Sequence, residues 1–184
     1  MVYIRRLIWF IASKLMLVCI LLGMLICGFF MCMNLANVYV VLDEGMEKRV
    51  EVILTREDAE QLNKYFHYDF LNADPALAGA FDGTSVYDDY TISDFEYELT
   101  IEKMWSWPWD DYATATVVER VPEIEGKVIS SRVNEVPSEI PQWIGGRYNL
   151  TLIKDSGEWK VAGMQQTTIL MESSEADNVE TLLE

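Results

Sequence analysis

A chain of 184 residues with 14 bases, 30 acids and one histidine has a net charge of −16, which disfavours nucleic acid and anionic lipid surfaces as partners. The length holds one domain of ordinary size beside an anchor, and no second domain is expected. The hydrophobic fraction of 51% is unevenly spread, because residues 15–33 contain no charge at all.

Those residues, rich in Leu, Ile, Met, Phe and Cys, come to about 28 Å as a helix at about 1.5 Å per residue, close to the roughly 30 Å of a bilayer's hydrocarbon core. Arg5, Arg6 and Lys14 precede them, whereas Asp43 and Glu44 are the first charges to follow. The positive-inside rule then puts a stub, residues 1–14, in the cytoplasm, a transmembrane helix over residues 15–37, and the remainder outside the cell membrane. A cleaved signal peptide is disfavoured by the long apolar stretch and by the lack of an A-x-A-like site. Large residues before Cys27 and Cys32 argue against a lipoprotein. The three cysteines all lie in the apolar segment, so the outer domain is expected to fold without disulfides. Eleven bases and all thirty acids follow the span, a formal charge of −19.

Beyond the span, the β-branched residues of 38–42 and 49–54 flank Asp43-Glu44-Gly45 and predict a juxtamembrane stem or hairpin over residues 38–54. A helix continued through Val41 is the alternative. The outer domain is set at residues 55–171. Thr55 reads as a helix N-cap, with Ala59, Leu62 and Phe66 at helical spacing. Asp74-Pro75 opens a second helix, which Gly83 ends.

From Tyr90 the period becomes two: Phe95, Tyr97, Leu99 and Ile101 alternate with acids and Thr100. The same parity resumes at Trp105, Trp107 and Trp109. A bent strand, or one with a bulge near Lys103, is expected to bury all three rings. Residues 113–121 form the next strand, closed by Pro122 and the segment 123–126. Gly145-Gly146 introduces another, which turns at residues 154–158 and returns from Trp159. The sum is an α+β domain with helices on a curved antiparallel sheet. Residues 172–184 read as an acidic tail.

The outer domain resembles the nuclear transport factor 2-like superfamily in its leading helices, the Trp-Ser-Trp-Pro-Trp-Asp ending of the alternating strand, the run from Asp111 to Val117, and Gly146-Arg147-Tyr148-Asn149-Leu150-Thr151-Leu152 with Gly157-Glu158-Trp159-Lys160-Val161. The resemblance implies a cone of sheet and helices. Enzymes of the superfamily often place a carboxyl and a Tyr inside that cone, where a dry pocket raises the carboxyl pKa. Tyr97 and Tyr148 fall on inward parities here, but Asp94, Glu96 and Glu98 fall on the opposite face, which leaves Asp69 as the one candidate carboxyl, and it reads better as a solvated loop acid. A stub, one span and such a domain also look like the inner-membrane assembly components of type IV secretion and conjugation systems.

No catalytic set, cofactor or metal site is expected. His67 has no second His and no outer Cys to pair with. Asp82, Asp88, Asp89, Asp110 and Asp111 read as turn residues rather than calcium ligands. Asn149 opens a glycosylation sequon in mid-strand. Trp105, Trp107, Trp109, Tyr97 and Tyr148 are the candidate partner or ligand surface, although alternating spacing places tryptophans in a core more often than on a platform. Two functions follow: a non-enzymatic extracytoplasmic interaction or assembly subunit of a bacterial membrane complex, held by lipid contact through its helix and binding other membrane proteins or itself; or a tethered enzyme or small-ligand binder using the cone.

Overall fold

A computed structural model describes residues 2–170; the expected acidic tail, residues 172–184, lies outside them. The chain is α+β, a long apolar N-terminal helix leading into antiparallel sheets. Helix α1 runs unbroken through Val2–Thr55, 54 residues or about 81 Å. Along its apolar stretch the side chains of residues 15–33 are exposed, apart from half-buried Cys27 and Met31. Burial begins at Asn34 and recurs at Val38, Leu42, Met46 and Val50, with Gly45, Arg49 and Ile53 beside them. That spacing of three and four is one face of a helix.

The expected stem or hairpin over residues 38–54 is therefore corrected to helix. Val, Ile and Leu runs fit strand or helix equally over five residues, and the period that decides between them extends from Asn34 to Leu54. The domain starts inside α1, about twenty residues before the expected boundary at 55. Thr55 ends α1 instead of capping a new helix. Arg56 and Asp58 adopt left-handed φ of 64° and 55°, and a 3₁₀ turn, Ala59–Lys64, follows. It still buries Leu62, and Phe66 behind it is 1% exposed.

Helix α2, Tyr68–Ala73, is capped by His67, whose Nδ1 accepts from the Asp69 amide at 3.3 Å. Helix α3, Pro75–Asp82, has Asp74 as N-cap, Pro at its start and Gly83 in the left-handed conformation at its end, as expected.

The larger sheet is antiparallel with strand order β2-β3-β5-β6: β2 Glu98–Ser106, β3 Tyr112–Arg120, β5 Gly145–Asp155 and β6 Glu158–Leu170. The strand expected to run on through residues 90–101 is divided. Its first part, β1 Tyr90–Phe95, pairs with β4 Ile124–Val128 in a separate two-stranded sheet. The segment around Ile124, expected only to close a strand, is itself a strand. α1 lies against the inner face of the larger sheet, where Val38, Leu42 and Met46 share a core with Ala113, Ala115, Val117, Leu150, Leu152, Trp159 and Val161. A second cluster joins Val50 and Leu54 of α1 to Tyr87 and Val121.

Candidate functional site

The domain has two chemically distinct ends, set by the directions of α1 and β2. β2 enters at Glu98, beside the C-terminal half of α1, and leaves at Ser106, beside Asn34. Tyr97 and Trp105 are thus separated by about 26 Å of strand at about 3.3 Å per residue. The five residues proposed from sequence as one surface do not form one.

At the end next to the apolar stretch is the turn between β2 and β3. Between Ile101 and Lys103 the register against β3 slips, so Ile101 faces Val117 while Lys103 faces Thr116. Glu102 is the extra residue of a bulge. One extra residue exchanges the two faces of a strand: Leu99 and Ile101 point inward before it, Met104 and buried Ser106 after it. The bulge expected near Lys103 therefore does the reverse of what the parity implied. Trp105, Trp107 and Trp109 are 43%, 45% and 71% exposed. Their rings stack in series, Trp105 edge-on to Trp107 at 5.4 Å and Trp107 parallel to Trp109 at 5.5 Å. The amide of Asn34, the first buried residue of α1, donates to the carbonyls of Trp107 and Pro108, both at 3.2 Å.

At the far end is an interior polar cluster. Arg49 of α1 donates to both carboxylate oxygens of Asp74, at 2.6 and 3.1 Å. Glu119 stands on the inward row of β3 with Ala113, Ala115 and Val117 and is 0% exposed. It accepts one hydrogen bond, from the indole of Trp143 at 3.0 Å. Its other oxygen and the Tyr97 hydroxyl are buried without partners among the described residues. Burial pushes the Glu119 carboxyl above the usual range, and Arg49 only partly opposes this. Burial, reinforced by the Glu119 charge, raises the Tyr97 phenol strongly and that of Tyr148 to about 12. Arg49 and Tyr148 also line two adjoining cavities, one bounded by Phe70 and Met164, the other by Ile53 and Trp143; Glu119 lines neither.

Sequence reading placed Tyr97 and Tyr148 inward and took Asp74 only as a helix start, but missed Glu119, Arg49 and Trp143. Glu119 had a signal: on the parity of Ala113, Ala115, Val117 and Val121, it is the one acid in an apolar row. Asp69 and Tyr68 are exposed on α2. Chemically, the far end holds a fixed ion pair and a carboxyl that burial makes harder to ionise than usual.

No protein-family model and no curated protein matches this sequence. Among solved structures, the crystal structure of Kfla4162 protein from Kribbella flavida is similar to it, at 11% identity and a TM-score of 0.46, over 74% of this chain and 93% of that one. A likeness that slight carries no conclusion to this chain.

Proposed function

We propose that the chain is a single-pass protein of a bacterial cell membrane, N-terminus in the cytoplasm, whose outer domain serves as a non-enzymatic interaction or assembly subunit, as in secretion or conjugation machinery. The observation that carries this reading is the continuity of α1. The apolar segment and the central helix of the domain core are one rod, with no break in the helix where residues 15–33 give way to buried Asn34. A rigid mount fixes a domain's height and orientation, which an assembly subunit needs and a tethered enzyme does not. The sealed state of Glu119 also suits a structural role better than a catalytic one.

The outer domain is read as a nuclear transport factor 2-like cone. Support comes from α1, α2 and α3 preceding the β2-β3-β5-β6 sheet, with α1 and α2 packed against it and α3 against α1, and from the last hairpin carrying Trp159-Lys160-Val161.

A flexible Gly-Ser linker inserted between Met33 and Asn34 of the full-length protein tests the reading. Photo-crosslinking from position 114, exposed on the outer sheet face, is expected to capture neighbouring membrane proteins or second copies in the native membrane, and the linker is expected to abolish that capture while leaving the domain folded. A chain that is captured by nothing, or equally with and without the linker, contradicts it.

A second reading, a small-ligand binder or enzyme, draws on Tyr148 and Arg49 at the cavity walls with Glu119 behind them. A ligand that copurifies with the protein and is lost on Tyr148→Phe supports that reading against the first.

A further inference from the structure

The three exposed tryptophans lie where the apolar helix ends. Residues 15–33 are uncharged, and Asn34 is held by the backbone of the β2–β3 turn through two hydrogen bonds. That pair of bonds fixes the height of the turn along α1: Trp107 and Pro108 sit level with the first buried polar residue after the stretch that would fill the hydrocarbon core. The turn is itself free of charge from Met104 to Trp109, with Asp110 and Asp111 only beyond it.

Two facts make this placement informative. Tryptophan concentrates at membrane interfaces, because its large apolar ring seeks the acyl boundary while its indole N–H stays with the headgroup and water. The Glu102 bulge also turns Trp105 out of the core that its parity would have entered, leaving stacked rings exposed at that one height. We propose that the hairpin carrying Trp105, Trp107 and Trp109 is an interfacial foot that inserts its indoles into the outer leaflet beside the exit of α1. The occupant is lipid, at the level of the glycerol and upper acyl chain. With a formal charge of −19 beyond the span, anionic headgroups are not the attraction, so a zwitterionic bilayer suffices. The foot gives the domain a second point of attachment, so that α1 and the turn together define its tilt.

This rests on reading residues 15–33 as a membrane span, and the two are separable because Trp9 lies on the cytoplasmic side of that span. Full-length protein is reconstituted into phosphatidylcholine vesicles whose acyl chains carry bromine either near the glycerol end or near the chain terminus, and tryptophan quenching is read. Loss of emission on Trp9→Phe from the quenched fraction reports the span. In the Trp9→Phe protein, shallow bromine is expected to quench hairpin emission more than deep bromine, and Trp105→Ser/Trp107→Ser/Trp109→Ser is expected to remove that quenching and the associated blue-shifted emission. Should the triple variant fail to fold, Trp109→Ser alone, at the most exposed ring, is expected to lose part of the signal. A quenched Trp9 with an unquenched hairpin overturns the foot and leaves the span standing. Quenching of neither overturns both. A hairpin that lipid does not quench, yet that crosslinks to a protein in native membranes, assigns the surface to a protein partner and overturns the proposal.

Discussion

Arg49 of α1 and Asp74 at the start of α3 form an ion pair at 2.6 Å with side chains only 7% and 3% exposed. It locks a short helix of the domain to the same rod that carries the apolar segment. Asp74 also accepts from the Ala76 amide at 3.0 Å, so one carboxylate both pairs and caps.

Removing one partner of such a pair strands a buried charge. Asp74→Ala is expected to lower stability by about 3–5 kcal/mol, of which about 1 kcal/mol is the lost cap. The double variant Arg49→Met/Asp74→Asn removes both charges and keeps a cap acceptor, and is expected to recover most of that loss. Denaturant unfolding of the full chain in detergent compares them; a double variant as unstable as Asp74→Ala contradicts the expectation.

Glu119 gives the fold a pH dependence of definite sign. Its carboxyl is raised in the folded state, so the native chain holds a proton that the unfolded chain releases near the ordinary Glu value. Stability is therefore fullest in acid and declines as pH rises from the usual Glu range through the elevated folded value. Glu119→Gln keeps an acceptor for Trp143 and has no proton to lose. Its stability relative to the native sequence is expected to grow with pH, and a difference that stays constant across pH sinks this account of Glu119.

Glycine in mid-helix ordinarily costs about 1 kcal/mol relative to alanine. At Gly45 the sign reverses, because a Cβ there would come to 2.8 Å from Cβ and 3.2 Å from Cγ of Tyr65. The segment after the 3₁₀ turn lies directly on this spot. Gly45→Ala is expected to destabilise by about 1–3 kcal/mol through overpacking, measured as a fall in midpoint denaturant concentration. A rise would show that Tyr65 yields freely.

Local chemistry made part of this fold legible. Asp74, Pro75 and Gly83 bracket α3 by capping and backbone preference alone, and the turn at residues 154–158 needs only its Gly and the alternation on either side. What escaped depends on longer range. Val38, Leu42, Met46 and Val50 declare a helix only when Asn34 and Ile53 are counted with them, and Gly45 imitates a turn while serving as a contact. The tryptophans follow a perfect period of two, yet a single bulged residue at Glu102 exchanges their face. Arg49 and Asp74 lie 25 positions apart, and neither announces the other. Glu119 was readable from its parity, because an acid in the row of Ala113, Ala115 and Val117 has nowhere to go but inside.

Surface labelling reports directly on the membrane topology. In a background with Cys19, Cys27 and Cys32 replaced by Ala, single cysteines are introduced as Tyr3→Cys and Thr114→Cys and treated with a membrane-impermeant maleimide on intact spheroplasts. Position 114 is expected to label at once and position 3 only after permeabilisation. Labelling of position 3 in intact spheroplasts, or protection of position 114, would contradict an N-terminus inside and a domain outside.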